Sequence, residues 1–109
     1  MKGYHAGEIV LLLFPFADAT GAKRRPALIV SDTGDEDVIV CRVTSQVAQT
    51  TFDVELEEWP QAGLQLPSVV RVHKVATLEK RLVERNLGVL SPSDWSKVRA
   101  RIRQLWTSL

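Results

Sequence analysis

The sequence has few of the side chains that bind metal ions or form disulfide bonds. It contains one cysteine and two histidines, and His5 and His73 stand apart from any cluster with metal-ligand spacing. A single cysteine excludes an intrachain disulfide. Because Cys41 ends the apolar segment at residues 38–41, we expect its side chain to be buried. The composition therefore predicts no metal site.

Two kinds of catalytic motif are also absent. The sequence has no GxxxxGK[ST] or GxGxxG loop, which bind nucleotide phosphates, and no GxSxG motif around a nucleophilic serine. Nucleotide-driven chemistry and the hydrolases built on that serine motif are thus excluded. Any reaction that the chain catalyses should need no cofactor.

The sequence has no long hydrophobic run. The longest apolar segment, residues 9–16, falls well short of the about 18–20 residues that span a membrane, and it contains Pro15. The N-terminus does not show the charged region, apolar core and cleavage site of a signal peptide. We therefore expect a cytoplasmic protein with no membrane partner.

Neither sign of charge dominates, since the net charge is +1. The charges are nevertheless segregated: cations cluster at residues 23–25 and along residues 97–103, and acids cluster at residues 55–58. A nucleic-acid site in such a chain has to be a local groove rather than a whole basic face.

The 109 residues predict one domain, residues 1–109, that is mainly β with one helix. Apolar or alternating patterns predict strands near residues 8–14, 27–31, 38–44, 52–57, 69–72, 75–78 and 82–87. In residues 52–57, the alternation places Asp53, Glu55 and Glu57 on a solvent-exposed face. A polar loop is expected at residues 18–23. Together these elements predict a small, strongly curved antiparallel barrel.

The C-terminal helix has the clearest start signal. Ser91 is suited to be the N-cap residue, Pro92 the first helical residue, and Asp94 a carboxylate in the first turn. Apolar residues then recur at helical spacing, at positions 95, 98, 102 and 105. This stripe predicts that the helix packs against the barrel.

The basic segment is the strongest candidate for function. Lys23, Arg24 and Arg25 run directly into Pro26, which restricts the backbone beside Arg25. A rigidly held guanidinium suits recognition of a phosphate, although a solvated basic hairpin loop would show the same local pattern.

Several short segments, taken in order, give a more specific indication. They are GEIV at residues 7–10, FPF at 14–16, RRPAL at 24–28, VTS at 43–45, GL at 63–64 and PSVVR at 67–71. In this order they resemble the MazF/PemK family of toxins from bacterial toxin–antitoxin modules. The resemblance implies an SH3-like barrel of the CcdB/MazF/Kid type, a homodimer, an acidic antitoxin as partner, and metal-independent, sequence-specific cleavage of single-stranded RNA.

The resemblance also implies which residues act. Arg25 matches the catalytic arginine of the family's RPA motif, and Thr44 matches its active-site threonine. Arg71 and His73 stand where some members have arginine and aspartate, so the role of the aspartate as a base is in doubt here. Since they are two residues apart in a strand, Arg71 and His73 should share a face. Strand propensity is the less favoured alternative for Thr44, whereas a structural role on the barrel rim explains His73 at least as well.

Further residues are candidates for RNA binding. Lys23 and Arg24 can contact phosphates, and Ser45 can donate a hydrogen bond. Trp59 can stack on a base or pack in the core, and Phe16 is better explained by packing. A second departure from the family is Thr20, where some members have a glutamate.

Two other functions remain open. The gyrase-poisoning CcdB toxins share the fold without being nucleases, and fold alone does not fix function. A degenerate member that binds RNA without cutting it is the other alternative, because His73 and Thr20 depart from the family pattern.

Overall fold

The computed structural model describes residues 3–15 and 22–109 of the chain. Within them, six strands precede a single α-helix. The strands are β1 Glu8–Pro15, β2 Ala22–Ser31, β3 Asp37–Thr44, β4 Asp53–Glu55, β5 Val69–Glu79 and β6 Val83–Val89; a short 3-10 helix, Lys80–Leu82, joins the last two, and helix α1 is Pro92–Thr107.

All six strands form one antiparallel sheet in the order β4-β5-β3-β2-β1-β6. No pairing joins its outer strands β4 and β6 in the described ranges, but the segment after β4 reaches across to β6. The turn after β4 packs on β6 so closely that a Cβ atom on Gly63 would lie 1.9 Å from the carbonyl oxygen of Leu87. The predicted class, mainly β with a small curved antiparallel sheet and a C-terminal helix, is confirmed.

Alternation along the strands divides the buried apolar side chains between two clusters. One cluster contains Ile9, Leu28 and Cys41, and helix α1 packs against it through Val98 and Ile102; we call this side the helix face. The other cluster, on what we call the distal face, contains Val10, Leu12, Phe14, Ala27, Ile29, Val38 and Val40. The sheet is thus apolar on both sides over most of β1, β2 and β3.

The helix begins as its sequence indicates. Ser91 is the N-cap, and its Oγ accepts a hydrogen bond from the backbone N–H of Asp94 at 3.1 Å. The Asp94 side chain is fully buried and accepts hydrogen bonds from the backbone amides of Glu57 (3.1 Å) and Glu58 (2.9 Å), while Lys97 pairs with it at 3.2 Å. Asp94 therefore ties the start of α1 to the segment after β4. No helix in the described ranges has the length and apolar character that crossing a membrane requires.

We expect Asp94→Asn to lower the free energy of unfolding at neutral pH by about 2 kcal/mol, because it removes the charge from buried hydrogen bonds. Burial alone raises the pKa of Asp94, but the two amides and Lys97 more than offset it, so the net pKa is lowered. Because the pKa is lower in the folded state, the charged Asp94 stabilises the fold at pH values above its unfolded pKa of about 3.9. This stabilisation is lost as the pH falls through the folded pKa. Urea unfolding at pH 7 and pH 3 should therefore show a smaller difference between wild type and variant at pH 3. An unchanged difference would contradict this account.

The predicted start of the second strand was wrong. Lys23, Arg24, Arg25 and Pro26 belong to β2 rather than to the preceding loop. Pairing between β2 and β3 begins only at Ala27, so at Pro26 the strand has a partner on one side and tolerates a missing N–H. Three adjacent cations are also tolerated, because alternate side chains of a strand point to opposite faces.

The two short strands predicted at residues 69–72 and 75–78 are one strand, β5. Cys41 pairs with Val75, whereas its neighbour Arg42 pairs with Arg71, so residues 72–74 form a bulge opposite β3. The expected burial of Cys41 is confirmed: its Sγ lies 3.5 Å from the carbonyl oxygen of Val72, and burial raises the pKa of the thiol to about 12.

Candidate active site

Strand register brings three arginines onto the distal face. Arg25 lies two residues before Ala27 and so shares its face; Ala27 pairs with Arg42, and Arg42 pairs with Arg71. Arg71 pairs in turn with Asp53 of β4. Directly paired residues of antiparallel strands carry their side chains on one face. A row of three cations that ends at a carboxylate therefore crosses β2, β3, β5 and β4.

A cavity of about 110 Å³ lies among these arginines. Its lining residues are Arg25, Arg42, Val43, Thr44, Gln46 and Arg71. A water molecule takes about 30 Å³ of liquid volume, so the cavity accommodates a group of a few heavy atoms. Three guanidinium groups around a space of this size suit a phosphate, which each of them can contact through paired N–H donors.

Arg25 and Arg42 are held differently. Arg25 is partly exposed and makes no hydrogen bond or ion pair with another described residue, so its donors are available to an anion. The Arg42 guanidinium carbon lies 5.8 Å from the centre of the Phe14 ring, within reach of a cation–π interaction. Arg42 was not predicted as a site residue. Its position two residues before Thr44 in a strand places both side chains on one face and could have indicated it.

Thr44 ends β3 at the edge of the cavity. Its Oγ1 accepts a hydrogen bond from the backbone N–H of Gln46 at 3.2 Å. This contact orients the side chain and uses only an acceptor position, so the hydroxyl hydrogen remains available to a ligand.

The prediction of a solvent-exposed face is confirmed for Glu55 and Glu57 but was wrong for Asp53. Its side chain is 1% exposed. One oxygen, Oδ1, accepts a hydrogen bond from Arg71 Nε at 3.3 Å; the other, Oδ2, accepts from the backbone amides of Gln49 (2.8 Å) and Thr50 (3.1 Å). Burial raises the pKa of this carboxyl, but the two amides and the charge of Arg71 outweigh it and lower the pKa overall. Asp53 is therefore a charged group beside Arg71, at the border of the cavity.

His73 borders the same carboxylate. Its Nδ1 is buried without a hydrogen-bond partner and lies 3.9 Å from Asp53 Oδ1, and its ring packs against Phe52 at a centroid distance of 6.5 Å. As the spacing predicts, Arg71 and His73 both reach Asp53. His73, however, does not line the cavity. The structure thus brings Arg25, Thr44 and Arg71 together around the cavity. His73 lies outside the cavity, next to Asp53.

Lys23 and Arg24 occupy different faces of β2. Lys23 is exposed and lies on the same face as Arg25, two residues away. Arg24 points to the other face, where its Nε lies 2.6 Å from Glu84 Oε2. Neither residue lines the cavity.

Ser45 and Trp59 are also outside the cavity. Ser45 lines a neighbouring cleft of about 270 Å³ between the segment after β3 and the start of β5. Trp59 is partly buried and packs against the cluster on the helix face. Phe16 and Thr20 lie outside the described residues. In residues 3–15 and 22–109, no three His, Cys, Asp or Glu side chains come together as a metal site would require.

Comparison with known proteins identifies the family. The model of the PemK-like, MazF-like toxin of type II toxin–antitoxin systems matches residues 5–106. A search of curated proteins found no match.

Solved structures agree with this family. MazF from Deinococcus radiodurans is 26% identical, with a TM-score of 0.76 over 98% of this chain and 99% of that one. A MazE–MazF structure from the same organism is 27% identical, with a TM-score of 0.76 over 95% and 96% of the two chains. An endoribonuclease from a mycobacterial species is 19% identical, with a TM-score of 0.77 over 98% and 94%, and shows the shared fold alone. The chain therefore belongs to the PemK-like, MazF-like toxins of type II toxin–antitoxin systems.

Proposed function

We propose that this toxin is a metal-independent endoribonuclease that cleaves single-stranded RNA at particular sequences. The observation that carries the proposal is the cavity formed by Arg25, Arg42, Arg71 and Thr44. RNA supplies its own nucleophile, so a protein that grips the phosphate and aligns the attack needs no further reagent. A mycobacterial protein with the same fold is named an endoribonuclease, which is consistent with the proposal.

In this reaction the 2′-oxygen attacks the adjacent phosphorus and the bond from phosphorus to the 5′-oxygen breaks. The 2′-hydroxyl loses a proton and the leaving 5′-oxygen gains one, so the products end in a 2′,3′-cyclic phosphate and a 5′-hydroxyl. Charge builds up on the non-bridging oxygens as the phosphorus becomes five-coordinate. We assign Arg25, Arg42 and Arg71 to stabilise this charge, and Thr44 to donate a hydrogen bond to the same phosphate.

The proton acceptor is a separate question. Arginine keeps its proton at physiological pH and is therefore a poor base. The imidazole of His73 suits the role chemically, because a ring nitrogen of imidazole can accept a proton. His73 contacts Asp53 but does not line the cavity, so it must reach the 2′-hydroxyl through a water molecule or a movement of its ring. Lys23, on the same face as Arg25, and Ser45, in the neighbouring cleft, are proposed to bind RNA beside this centre. Arg24 and Trp59 lie on the other side of the sheet, so any RNA contact that they make is proposed to be remote from the centre.

We further propose that the protein is a cytoplasmic homodimer of one domain, residues 1–109, inhibited by an acidic antitoxin. Val75, Trp106 and Leu109 are exposed around an apolar cavity of about 380 Å³ between β5 and the end of α1. A surface of this kind favours association with another protein surface. The MazE–MazF complex of the Deinococcus relative supports an antitoxin partner.

We expect the purified protein to cut a long single-stranded RNA in the presence of EDTA and to leave cyclic phosphate ends. Gel electrophoresis and end-group analysis of the fragments measure both properties. An Arg25→Ala preparation purified in parallel controls for contaminating nucleases. Cleavage that stops in EDTA and returns with magnesium would contradict the mechanism. RNA binding without cleavage would favour the degenerate alternative.

A further inference from the structure

We propose that Asp53 is a positioning residue that orients Arg71 for catalysis, an inference that rests on the proposed function. Asp53 does not line the 110 Å³ cavity, whereas Arg71 does. The two residues meet through Arg71 Nε and Asp53 Oδ1 at 3.3 Å. Because Nε is the nitrogen nearest the aliphatic part of the side chain, this contact leaves both terminal nitrogens of Arg71 for the phosphate.

The carboxylate is itself held firmly enough to act as an anchor. Its second oxygen accepts two backbone hydrogen bonds, from Gln49 and Thr50, which prevent rotation of the group. These amides belong to the segment that joins Thr44 to β4. One buried carboxylate therefore fixes both the guanidinium of Arg71 and the chain that leaves the cavity after Thr44.

Electrostatic attraction of the RNA phosphate does not explain why a carboxylate lies next to Arg71. A negative charge beside Arg71 cancels part of the positive charge that draws a phosphate into the cavity. Its presence therefore costs affinity, and its contribution has to be geometric. A guanidinium that is held in place stabilises the transition state without first being reoriented, and a misplacement of about 1 Å can lower a rate by about 10²-fold.

The structure provides a matched control at Asp32. The side chain of Asp32 is also almost buried, and it also binds one cation, Lys80 Nζ at 2.9 Å, and two backbone amides, those of Tyr4 and Gly34. It lies in the turn between β2 and β3 and does not line the cavity. Asp32→Asn thus removes the same kind of interaction without altering Arg71.

The experiment compares Asp53→Asn with Asp32→Asn. We expect Asp53→Asn to slow single-turnover cleavage at saturating RNA by on the order of 10–100-fold. Its affinity for a 2′-deoxy oligonucleotide of the same sequence, which lacks the nucleophile, should be unchanged or tighter. Asp32→Asn should leave both quantities within about twofold of wild type, since it does not touch the site.

A double-mutant cycle tests whether Asp53 acts through Arg71. Asp53→Asn should slow cleavage no further in an Arg71→Gln background. If Asp53→Asn does not fold, Arg71→Lys replaces it: lysine keeps the charge but lacks the rigid fork that lets Arg71 bond Asp53 through Nε and present its terminal nitrogens to the phosphate, so it should slow cleavage with little loss of affinity.

Each remaining outcome decides the matter. If Asp53→Asn cleaves RNA as fast as Asp32→Asn does, the inference about Asp53 is overturned and the proposed function stands. The same holds if the effects of Asp53→Asn and Arg71→Gln on the cleavage rate are additive. If the effects of Asp53→Asn and His73→Gln on the rate are non-additive while those of Asp53→Asn and Arg71→Gln add, Asp53 orients His73 rather than Arg71 and the inference is overturned. A wild-type protein that cuts no RNA overturns the proposed function and this inference with it.

Discussion

Arg25→Ala is expected to slow RNA cleavage at saturating substrate by on the order of 10²–10³-fold or more, as for other preorganised donors. Arg25 lines the cavity, lies in a paired strand, and has no ion pair with the other described residues. Its full charge is therefore available to the phosphate. Because Arg42 and Arg71 remain, the affinity for RNA should fall by only about one phosphate contact.

Arg24→Ala is the matched comparison, since it removes the same charge from the adjacent residue. Arg24 points to the opposite face and pairs with Glu84. We expect at most a modest loss of affinity, with a shallower salt dependence, and an unchanged single-turnover rate. Single-turnover rates and affinities measured for both variants separate the two roles. Equal, modest losses would mean that the basic segment is only an electrostatic patch.

Gly63→Ala is expected to prevent folding or to destabilise the protein by more than about 4 kcal/mol, a large part of the usual 5–15 kcal/mol. A Cβ atom there would lie 1.9 Å from the carbonyl oxygen of Leu87 in β6, so the turn after β4 and β6 would have to move apart to accommodate it. The positive φ of 82° adds a further cost for alanine.

Gly34→Ala separates these two costs. Gly34 also has a positive φ, 96°, but a Cβ atom there meets nothing within 4 Å. Its variant should therefore lose only about 1 kcal/mol, the backbone cost. Soluble yield and urea unfolding measure both variants. Similar stability of the two would show that the contact between the turn after β4 and β6 is not tight.

The parts of the molecule that the sequence predicted correctly depend on neighbouring residues. Ser91 caps α1 because its partner, the N–H of Asp94, is three residues away. The apolar stripe of the same helix needs only its own periodicity to be recognised. Local pattern was sufficient for these elements.

The features that the sequence could not reveal depend on residues distant in the chain. The alternation around Asp53 predicted exposure, but the side chain is buried because Arg71, 18 positions away, supplies a partner for its charge. Arg42 joined the site only through the register of β3 with β2 and β5. The basic segment was misread as a loop because nothing in its composition shows that β1 pairs with it.

The single cysteine provides a chemical probe of local opening in this protein. Cys41 is inaccessible in the folded state, and its pKa of about 12 leaves almost no thiolate at neutral pH. An alkylating reagent attacks the thiolate, and Cys41 lines the apolar cavity between β5 and the end of α1, so modification requires that the packing of α1 on the sheet first open. The alkylation rate then measures how often α1 separates from the sheet, and reagents that target cysteine should modify the native toxin only slowly.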